Sequence, residues 1–381
     1  MSQRTMYCGF IFALAVSVAF WSCQPTQLVI SDYDADFLTD WNKEILEVAM
    51  AEDGLLTLKG LRTAAMTHVA VHDALNSIEP VYERYALKER VTRTYPANAA
   101  AYAAYVITTR QYPDQAIKFQ SLLDAQLAAS NHQDTATARV LGEAAALAIL
   151  ERRQNDRWNG EAEYTWHPMA PGVYAEFNEH SGTPEGFIFG AGWAKAEPFM
   201  LPSQDHFRSP PPPEIESDEY TEAFNEVKEV GATNSSTRTD DQAHLAMWWK
   251  DFVENSHNRL VRDLVKKEEL NLWDAARVFA LMNMAIYDAY INVFDNKFYY
   301  NHWRPYTAIR WAEFDGNDDT EPDTSWNNLH EHTYAFPSYP SAHGTASSAA
   351  MTVLANTLGT GDDYQFVMRT DSVDRAGPFS G

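Results

Sequence analysis

Two basic residues near position 300 have the types and spacing needed to bind an oxyanion. Lys297 is followed by Arg304, and Pro305 comes directly after the arginine. The planar guanidinium offers two parallel donors and the lysine adds a mobile point charge, a combination that suits phosphate or vanadate. Because Pro305 disfavours helix at Arg304 but suits the first turn of a following helix, the cations are predicted to flank a helix-to-helix connection and converge on one anion. The alternative is a pair of ordinary surface cations.

A second segment, further along the chain, places a proline and a serine just before a helix of small residues. Its sequence is Pro340-Ser341-Ala342-His343-Gly344. The serine and the free amides of the next three residues would present several donors at the positive end of the helix dipole. This pattern predicts an oxyanion cradle with His343 at its rim, where the imidazole could exchange a proton. The alternative is that Ser341 only caps the helix and His343 is an exposed surface residue.

The two segments together resemble the signatures of the vanadium-dependent haloperoxidase and type 2 phosphatidic acid phosphatase superfamily. Lys297 and Arg304, with the proline that follows, resemble the first signature, and residues 340–343 resemble the second. Ala342 stands where the family more often has glycine, a departure that is tolerable if its φ is negative, because only a backbone amide is needed there.

The resemblance covers most of the mature chain. It extends through residues 270–310 and, more weakly, to the helix around residues 70–76. It is strongest toward the soluble, exported bacterial haloperoxidase-like branch. The fold that this resemblance implies, and that the helical periodicity also favours, is all-α with two helical bundles.

The resemblance also implies roles for the residues of both segments. Lys297, Arg304, Ser341 and the amide of Ala342 would hold the oxygens of vanadate, or of phosphate in a phosphatase, while His343 would act as acid or base. In the haloperoxidases, bound vanadate uses hydrogen peroxide to oxidise a halide, and the product halogenates an organic acceptor.

The shared motifs do not separate haloperoxidase from phosphatase chemistry. In the phosphatases the same cradle holds the phosphate of an ester substrate. The likeness to the bacterial branch favours a vanadium-dependent haloperoxidase-like oxidoreductase. Acid phosphatase is the enzyme alternative, and a non-catalytic helical binding module is the third.

Phe336 is a candidate halide-pocket residue. It lies five positions before Ser341, where chlorinating fungal enzymes also carry phenylalanine and brominating algal enzymes tend to carry histidine. The resemblance therefore implies that chloride is a competent halide. The alternative is that Phe336 is a packed aromatic residue.

The end of the sequence leads to a further expectation. In the family, a third signature of arginine and histidine supplies another cation and the histidine that bonds vanadium or attacks phosphorus. After His343 the sequence has no histidine, and its arginines there are Arg369 and Arg375. We therefore expect a C-terminally truncated chain whose axial histidine lies beyond Gly381. Such a chain would bind the oxyanion weakly, turn over neither class of substrate and tend to associate.

Other polar clusters favour structural roles. His68 and His72 lie four apart, with Asp73 beside them, and could hold a metal. No second helix offers the Glu-x-x-His pattern of a di-metal bundle, so packing or hydrogen bonding is favoured. The group at residues 330–332 (His-Glu-His) could shape the pocket entrance but is better explained as a polar loop.

Helical periodicity dominates the whole sequence. The predicted helices are Trp41–Ala51, Leu58–Ile78, Ala97–Thr109, Pro113–Ala129, Thr135–Arg153 with Asp134 as its cap, Ser217–Val230, Asp240–Asn255, His257–Lys267, Trp273–Phe294, Tyr306–Phe314 and Thr345–Leu358. These predict a bundle at residues 37–155 and a haloperoxidase/phosphatase-like bundle at 215–381. A proline- and aromatic-rich connection, residues 156–214, cannot continue a helix and would join the two.

The N-terminus and the composition bear on location and partners. Residues 1–23 resemble a signal peptide, because Arg4 precedes an apolar run that is shorter than a membrane span. We therefore expect an exported protein, periplasmic or held as a lipoprotein by a lipidated Cys23, with simple cleavage nearby as the alternative. The formal charge of −24 repels polyanions and excludes nucleic acid as an expected partner.

Overall fold

The structure, a computed structural model, is described for residues 28–53, 58–90, 94–130, 135–160, 164–175, 181–184, 187–361 and 363–370. In these residues the secondary structure is helical, with isolated β-bridges and no strands, which confirms the predicted all-α class. The α-helices are α1 (Asp36–Asp53), α2 (Leu58–Ile78), α3 (Pro96–Gln111), α4 (Ala116–Ala129), α5 (Ala136–Arg152), α6 (Asp218–Val230), α7 (Asp240–Trp248), α8 (Val253–Lys267), α9 (Leu272–Tyr300), α10 (Pro305–Arg310) and α11 (Ala342–Leu358).

Two long helices form the centre of the molecule. Nearly every residue of α2 is buried, and α9 is buried along most of its length. Alanines such as Ala65, Ala70 and Ala276 are fully buried, which lets helix backbones approach closely. One hydrophobic cluster runs from α1–α5 through α8 and α9 to α11, so the helices before and after the proline-rich connection share a continuous core.

The irregular connection is fastened to this core by buried carboxylates. Asp288 of α9 accepts hydrogen bonds from the amides of Phe199, Met200 and Leu201 at 2.6–3.0 Å. Asp156 bonds the side chains of Arg62 and Arg153 at 2.7 and 2.8 Å. A buried charge is tolerated only when it is paired or hydrogen-bonded in this way. The connection is therefore held against α9 through Asp288, and against α2 and the end of α5 through Asp156.

A smaller hydrophobic cluster forms around α6 and α10. Its buried members include Tyr220 and Phe224 of α6, Trp303 before α10, and Trp326. Trp326 donates its indole N–H to Lys228 O at 2.9 Å, which ties the long loop after α10 to α6.

The prediction of one helix over Asp240–Asn255 is wrong. The chain leaves helical geometry after Trp248, and Phe252 is extended with φ −76° and ψ 140° before α8 begins at Val253. The carbonyl of Asp251, freed from helical hydrogen bonding, accepts instead from His343. The break is thus stabilised by a residue far away in the sequence, so local periodicity could not reveal it.

The helix-buried histidines are involved in packing. His72 bonds Glu83 O through Nε2 at 2.9 Å, and His68 stacks on Phe279 while its Nε2 meets the Asn42 side-chain amide at 3.0 Å. Among the described residues no cluster of metal-ligating side chains is present. The structural role favoured for this pair is therefore consistent with the geometry.

Some predictions concern residues outside the described ranges. These are the signal segment 1–23 with Cys23, the cap Asp134, and the end of the chain from 371 onward. Within the described residues, none of the helices combines the length and apolar character that crossing a bilayer requires.

Candidate active site

The last turns of α9 carry the first predicted cation. Tyr290, Phe294 and Lys297 follow one another at helical spacing and all line the same cavity. Lys297 is 2% exposed, and its ammonium donates to the carbonyls of Pro337 and Ser338 at 3.1 and 2.7 Å. The last residue of α9 is Tyr300, and its C-cap residue Asn301 has the left-handed backbone conformation, with φ 48°. The alternative of an ordinary surface lysine is excluded.

Arg304 lies immediately beyond this helix end, as the N-cap of α10. Its Nε donates to Phe336 O at 2.6 Å, and its guanidinium carbon lies 4.4 Å from the Phe336 ring centroid. Its Nη2 is buried and has no hydrogen-bond partner among the described residues. An unpartnered buried guanidinium nitrogen is costly, so this atom points to a missing acceptor.

The two cations have no carboxylate partner within salt-bridge distance in the described part of the chain. Burial, reinforced by the neighbouring Arg304, holds the pKa of Lys297 well below its usual value. Burial likewise lowers the pKa of Arg304, to about 10. A bound anion would relieve the cost to both groups, so their environment is suited to an oxyanion.

The second signature forms the other wall of the site. Ser341 is the N-cap of α11, and Ala342 is its first helical residue, so its φ is negative as the departure from glycine requires. First-turn amides have no partner within their own helix and are available to an anion. The Ser341 hydroxyl itself accepts from the amide of Gly344 at 3.1 Å. The capping alternative is therefore realised in this structure.

His343 is oriented by the break between α7 and α8. Its Nε2 lies 3.0 Å from the carbonyl oxygen of Asp251. Because a carbonyl can only accept, Nε2 carries the hydrogen and Nδ1 is the acceptor of the neutral ring. Burial lowers the pKa of His343, and the positive charge of Lys297 lowers it further, against an opposing effect of Asp251. The ring is therefore neutral near pH 7 and can accept a proton at Nδ1.

Phe336 lies between the two signatures and beneath both cations. The Lys297 ammonium is 5.2 Å from its ring centroid, and the ring also contacts Phe189, Phe294 and Tyr334. Phe336 is therefore a packed aromatic residue that also lines the cavity, and its role in a halide pocket stays a prediction.

All predicted site residues, namely Lys297, Arg304, Phe336, Ser341, Ala342 and His343, line one cavity of about 530 Å³. The described residues that line it include no aspartate or glutamate, although the chain has 53 acidic residues. A cavity with two buried cations and no carboxylate in so acidic a protein has the electrostatics of an anion site.

Sequence reasoning missed several residues that line the cavity. Two of them lie directly before Arg304, namely His302, whose pKa burial lowers to about 4, and Trp303. Tyr220, Phe224 and Val227 come from α6, and Pro212 and Pro213 come from the proline run. The spacing of Tyr290 and Phe294 ahead of Lys297 was a usable signal, because those positions share a helix face.

The group at residues 330–332 lies close to this site without lining the cavity. His332 packs edge-on against Tyr334, which does line it. The polar-loop interpretation agrees with this placement.

The fold and the site together define the class of protein. The chain superposes on the first bacterial vanadium-dependent iodoperoxidase structure with a TM-score of 0.69 and 20% identity, over 84% of this chain and 80% of that one. It also superposes on bacterial vanadium-dependent chloroperoxidase in apo and holo form, with TM-scores of 0.60 and 0.58 at 16% identity. These cover 79% and 80% of this chain and 77% of each neighbour. The fold is that of the vanadium haloperoxidases.

Sequence comparisons point to the same family. Residues 277–378 match the family model of the VCPO second helical-bundle domain. Every predicted site residue lies within this range. Vanadium chloroperoxidase of Curvularia inaequalis is 29% identical over 38% of this chain. The chain matches 28% of the length of that relative. The resemblance inferred from the two signatures is thereby confirmed.

Proposed function

We propose that this protein is a vanadium-dependent haloperoxidase that uses hydrogen peroxide to oxidise a halide. The observation that carries the proposal is the pair of buried cations, Lys297 and Arg304, which face an acid-free cavity without a carboxylate partner among the described residues. The comparisons support vanadate as the oxyanion, because the similar solved structures are of vanadium-dependent enzymes and the similar curated protein is a vanadium chloroperoxidase.

The residues present fit vanadate as a tetrahedral oxyanion. Arg304 would satisfy its unpartnered Nη2 on an anion oxygen, and Lys297 would redirect its ammonium from the carbonyls of Pro337 and Ser338. The first amides of α11 would bind a third oxygen at the positive end of the helix dipole. Bound vanadate supplies the Lewis acidity that activates hydrogen peroxide toward halide.

His343 would move the proton that this chemistry requires. Its ring is fixed by the Asp251 carbonyl, which leaves Nδ1 free to take a proton from a bound oxygen or peroxide and return it. The same placement would serve an acid phosphatase, so His343 does not separate the two activities. The resemblance to haloperoxidases favours the first.

Halide selection is proposed to involve Phe336. The ring packs against both cations, with its centroid 5.2 Å from the Lys297 ammonium and 4.4 Å from the Arg304 guanidinium carbon. We infer chloride competence from the resemblance, because chlorinating fungal enzymes also carry phenylalanine at this position.

We further propose that the protein is exported, through cleavage of residues 1–23 or lipidation at Cys23. Mass spectrometry of the processed N-terminus would distinguish these outcomes from retention in the cytoplasm.

Calorimetric titration of orthovanadate into the wild-type protein and Lys297→Met tests the oxyanion site. We expect the variant to bind roughly 10- to 100-fold more weakly, because a hydrogen bond to a charged group contributes about 1.5–3 kcal/mol. Lys43→Met, which alters an exposed lysine on α1, is the matched control and should bind as the wild type does. Equal affinity in Lys297→Met and wild type would refute the site.

Activity is tested by two parallel assays on the vanadate-treated full-length protein. One follows peroxide-dependent halogenation, and the other follows hydrolysis of a phosphomonoester. Halogenation supports the proposal, whereas phosphate release without halogenation would favour the phosphatase. Silence in both assays would favour the non-catalytic binding module.

A further inference from the structure

The start of α8 forms a second layer behind the cavity. The carbonyl of Asp251 accepts a hydrogen bond from His343 at 3.0 Å. Three residues later, Glu254 Oε2 accepts a hydrogen bond from the Tyr290 hydroxyl, also at 3.0 Å. His343 and Tyr290 line the cavity, whereas the two acidic residues are not among the described residues that line it. One short segment therefore holds lining residues of two different helices, α11 and α9.

Glu254 is a buried carboxyl group that no basic side chain neutralises in the described part of the chain. It is 4% exposed, and no described lysine, arginine or histidine lies within salt-bridge distance of it. Burial raises its pKa to about 7, opposed by hydrogen bonds from its own amide and from Tyr290, and the charge of Asp251 raises it further. Burial lowers the pKa of both His257 and His343, so these rings are neutral at pH 7. Below about pH 7 the folded protein therefore holds a proton on Glu254.

Tyr290 connects this carboxyl group to the cavity. It precedes Lys297 by two helical turns on α9, which places both side chains on one face of the helix. A phenol hydroxyl can accept one hydrogen bond and donate another, so it can pass a proton on. Burial raises the pKa of Tyr290 well above its usual value, and the neighbouring Glu254 and Tyr334 raise it further. At neutral pH the hydroxyl keeps its proton, so Tyr290 is suited to relay a proton from Glu254.

We propose that Glu254 and Tyr290 form the proton store of the oxyanion site. A proton held on Glu254 passes through the Tyr290 hydroxyl to an oxygen that is bound in the cavity. This inference rests on the proposed function and deepens it by naming the source of the proton that the reaction consumes. His343 takes a proton at Nδ1 and returns it, so it supplies no net proton. Glu254 supplies that net proton from behind the cavity.

The overall reaction balances with one proton from this store. One hydrogen peroxide, one halide ion and one proton give one hypohalous acid and one water molecule, so that peroxide is reduced and the halide is oxidised. The O–H bond of the Glu254 carboxyl group breaks as a new bond to the Tyr290 oxygen forms. The original Tyr290 O–H bond breaks at the same time, and its proton goes to the bound oxygen. The buried carboxylate then regains a proton from solvent, because burial disfavours its charged form.

Proton uptake during anion binding tests the store without any turnover. An anion in the cavity raises the pKa of a carboxyl group behind it, because the two negative charges repel each other. At pH 7 the Glu254 carboxyl is about half protonated, and a rise of about 1 in its pKa increases the protonated fraction from about 0.5 to about 0.9. We therefore expect the wild-type protein to take up about 0.4 more protons per orthovanadate bound than Glu254→Gln does.

Calorimetric titration of orthovanadate in buffers of different ionisation enthalpy measures this uptake. Protonation of orthovanadate itself contributes equally to both proteins and cancels in the difference. Glu254→Gln keeps the size of the side chain and an acceptor for Tyr290, so it should still bind the anion. Glu222→Gln, on the exposed surface of α6, is the matched control and should take up protons as the wild type does.

The variant Tyr290→Phe tests the route of the proton. It keeps the Glu254 carboxyl group but removes the hydroxyl that links it to the cavity. In the vanadate-loaded full-length protein, kcat for halide oxidation should fall at least about 10-fold in Tyr290→Phe and in Glu254→Gln, with KM for hydrogen peroxide unchanged. In the wild type kcat should fall as pH rises and empties the store, and Glu254→Gln should lose this dependence. A wild-type kcat in Tyr290→Phe would overturn the route.

The proton store and the proposed function fail in different ways. A wild-type protein that does not bind orthovanadate would overturn the oxyanion site and the proton store with it. Orthovanadate binding with equal proton uptake in wild type and Glu254→Gln would overturn the store alone. Proton uptake that requires Glu254, in a protein without halide oxidation, would support the store and refute the haloperoxidase function.

Discussion

At the scale of single residues, the site is built from charges placed where water cannot reach them. Lys297 donates only to two backbone carbonyls, and Arg304 leaves one nitrogen unpartnered among the described groups. Burial of an unpaired charge lowers the stability of the folded state, and the continuous core elsewhere must offset that cost. An anion that binds here recovers part of the cost, which couples ligand affinity to folding.

A buried carboxyl group contacts Tyr290, which lines the cavity. Glu254 of α8 is 4% exposed, and the Tyr290 hydroxyl donates to its Oε2 at 3.0 Å. Burial raises its pKa to about 7, opposed by the Tyr290 hydrogen bond. In the pH window from its ordinary value of 4.5 to about 7, the folded protein holds a proton that the unfolded chain releases. Stability therefore falls as pH rises through that window.

Glu254→Gln should remove this pH dependence. The amide keeps the size of the side chain and an acceptor for Tyr290 but cannot ionise. We expect the variant to gain stability relative to the wild type between pH 5 and pH 8, by on the order of 3 kcal/mol. Urea unfolding at both pH values measures the difference. Glu222→Gln, on the exposed surface of α6, should show no such gain, and equal pH profiles for Glu254→Gln and wild type would contradict the assignment.

Phe336→His should change the halide preference of the vanadate-loaded protein toward bromide. The imidazole would replace an apolar wall with a hydrogen-bonding one next to Lys297 and Arg304. The measurement is the ratio of bromide to chloride oxidation rates. Phe314→His, at an exposed position, provides the control. An unchanged ratio would assign Phe336 to packing alone.

At the scale of secondary-structure elements, one side chain at the start of α11 has an observed capping role and a proposed role in anion binding. Ser341 caps the helix by accepting from Gly344, and the same hydroxyl is predicted to bind the oxyanion. The capping bond leaves the hydroxyl hydrogen free to donate, so the two functions are compatible. The other signature is placed by the end of α9 and the start of α10, where Asn301 turns the chain.

Two substitutions separate capping from anion binding. Ser341→Ala should lose about 1 kcal/mol of stability together with some vanadate affinity, because it removes the cap and the donor. Ser341→Asp should retain the cap, since aspartate is a good N-cap, but repel the anion and abolish binding. Thermal unfolding and vanadate titration give the two readouts. Normal affinity in Ser341→Asp would place the anion away from this helix.

At the scale of the whole molecule, the core joins helices that sequence patterns assign to two bundles. α2 and α9 are packed together along their lengths, and their buried residues belong to one hydrophobic cluster. The chain carries a formal charge of −24, whereas the described residues that line the cavity include no aspartate or glutamate.

Leu75→Ala, in the buried centre of α2, should lower the stability of the whole protein by about 2–5 kcal/mol. Because the core is continuous, circular dichroism and tryptophan fluorescence should follow one coincident transition in both wild type and variant. Leu147→Ala, at an exposed position of α5, should change stability little. Two separated transitions would show that the helices before and after the connection unfold independently.

The sequence alone predicted most of the helices and the residues that are proposed to bind the oxyanion. The bounds of α2 agree with its prediction, because periodicity and helix-terminating residues are local properties. Lys297, Arg304 and residues 340–343 could be identified because the chemistry of anion binding requires these residue types at short spacing. Their convergence in one cavity agrees with that interpretation.

Only the tertiary structure decided what surrounds those residues. The break after Trp248 is stabilised by the contact between Asp251 and His343. The cavity wall that α6 supplies is positioned by the packing of α6 against α10. Both arrangements join parts of the chain that are far apart in sequence. Their energies come from burial and from long-range hydrogen bonds, and a local pattern of residues does not record which distant element will supply them.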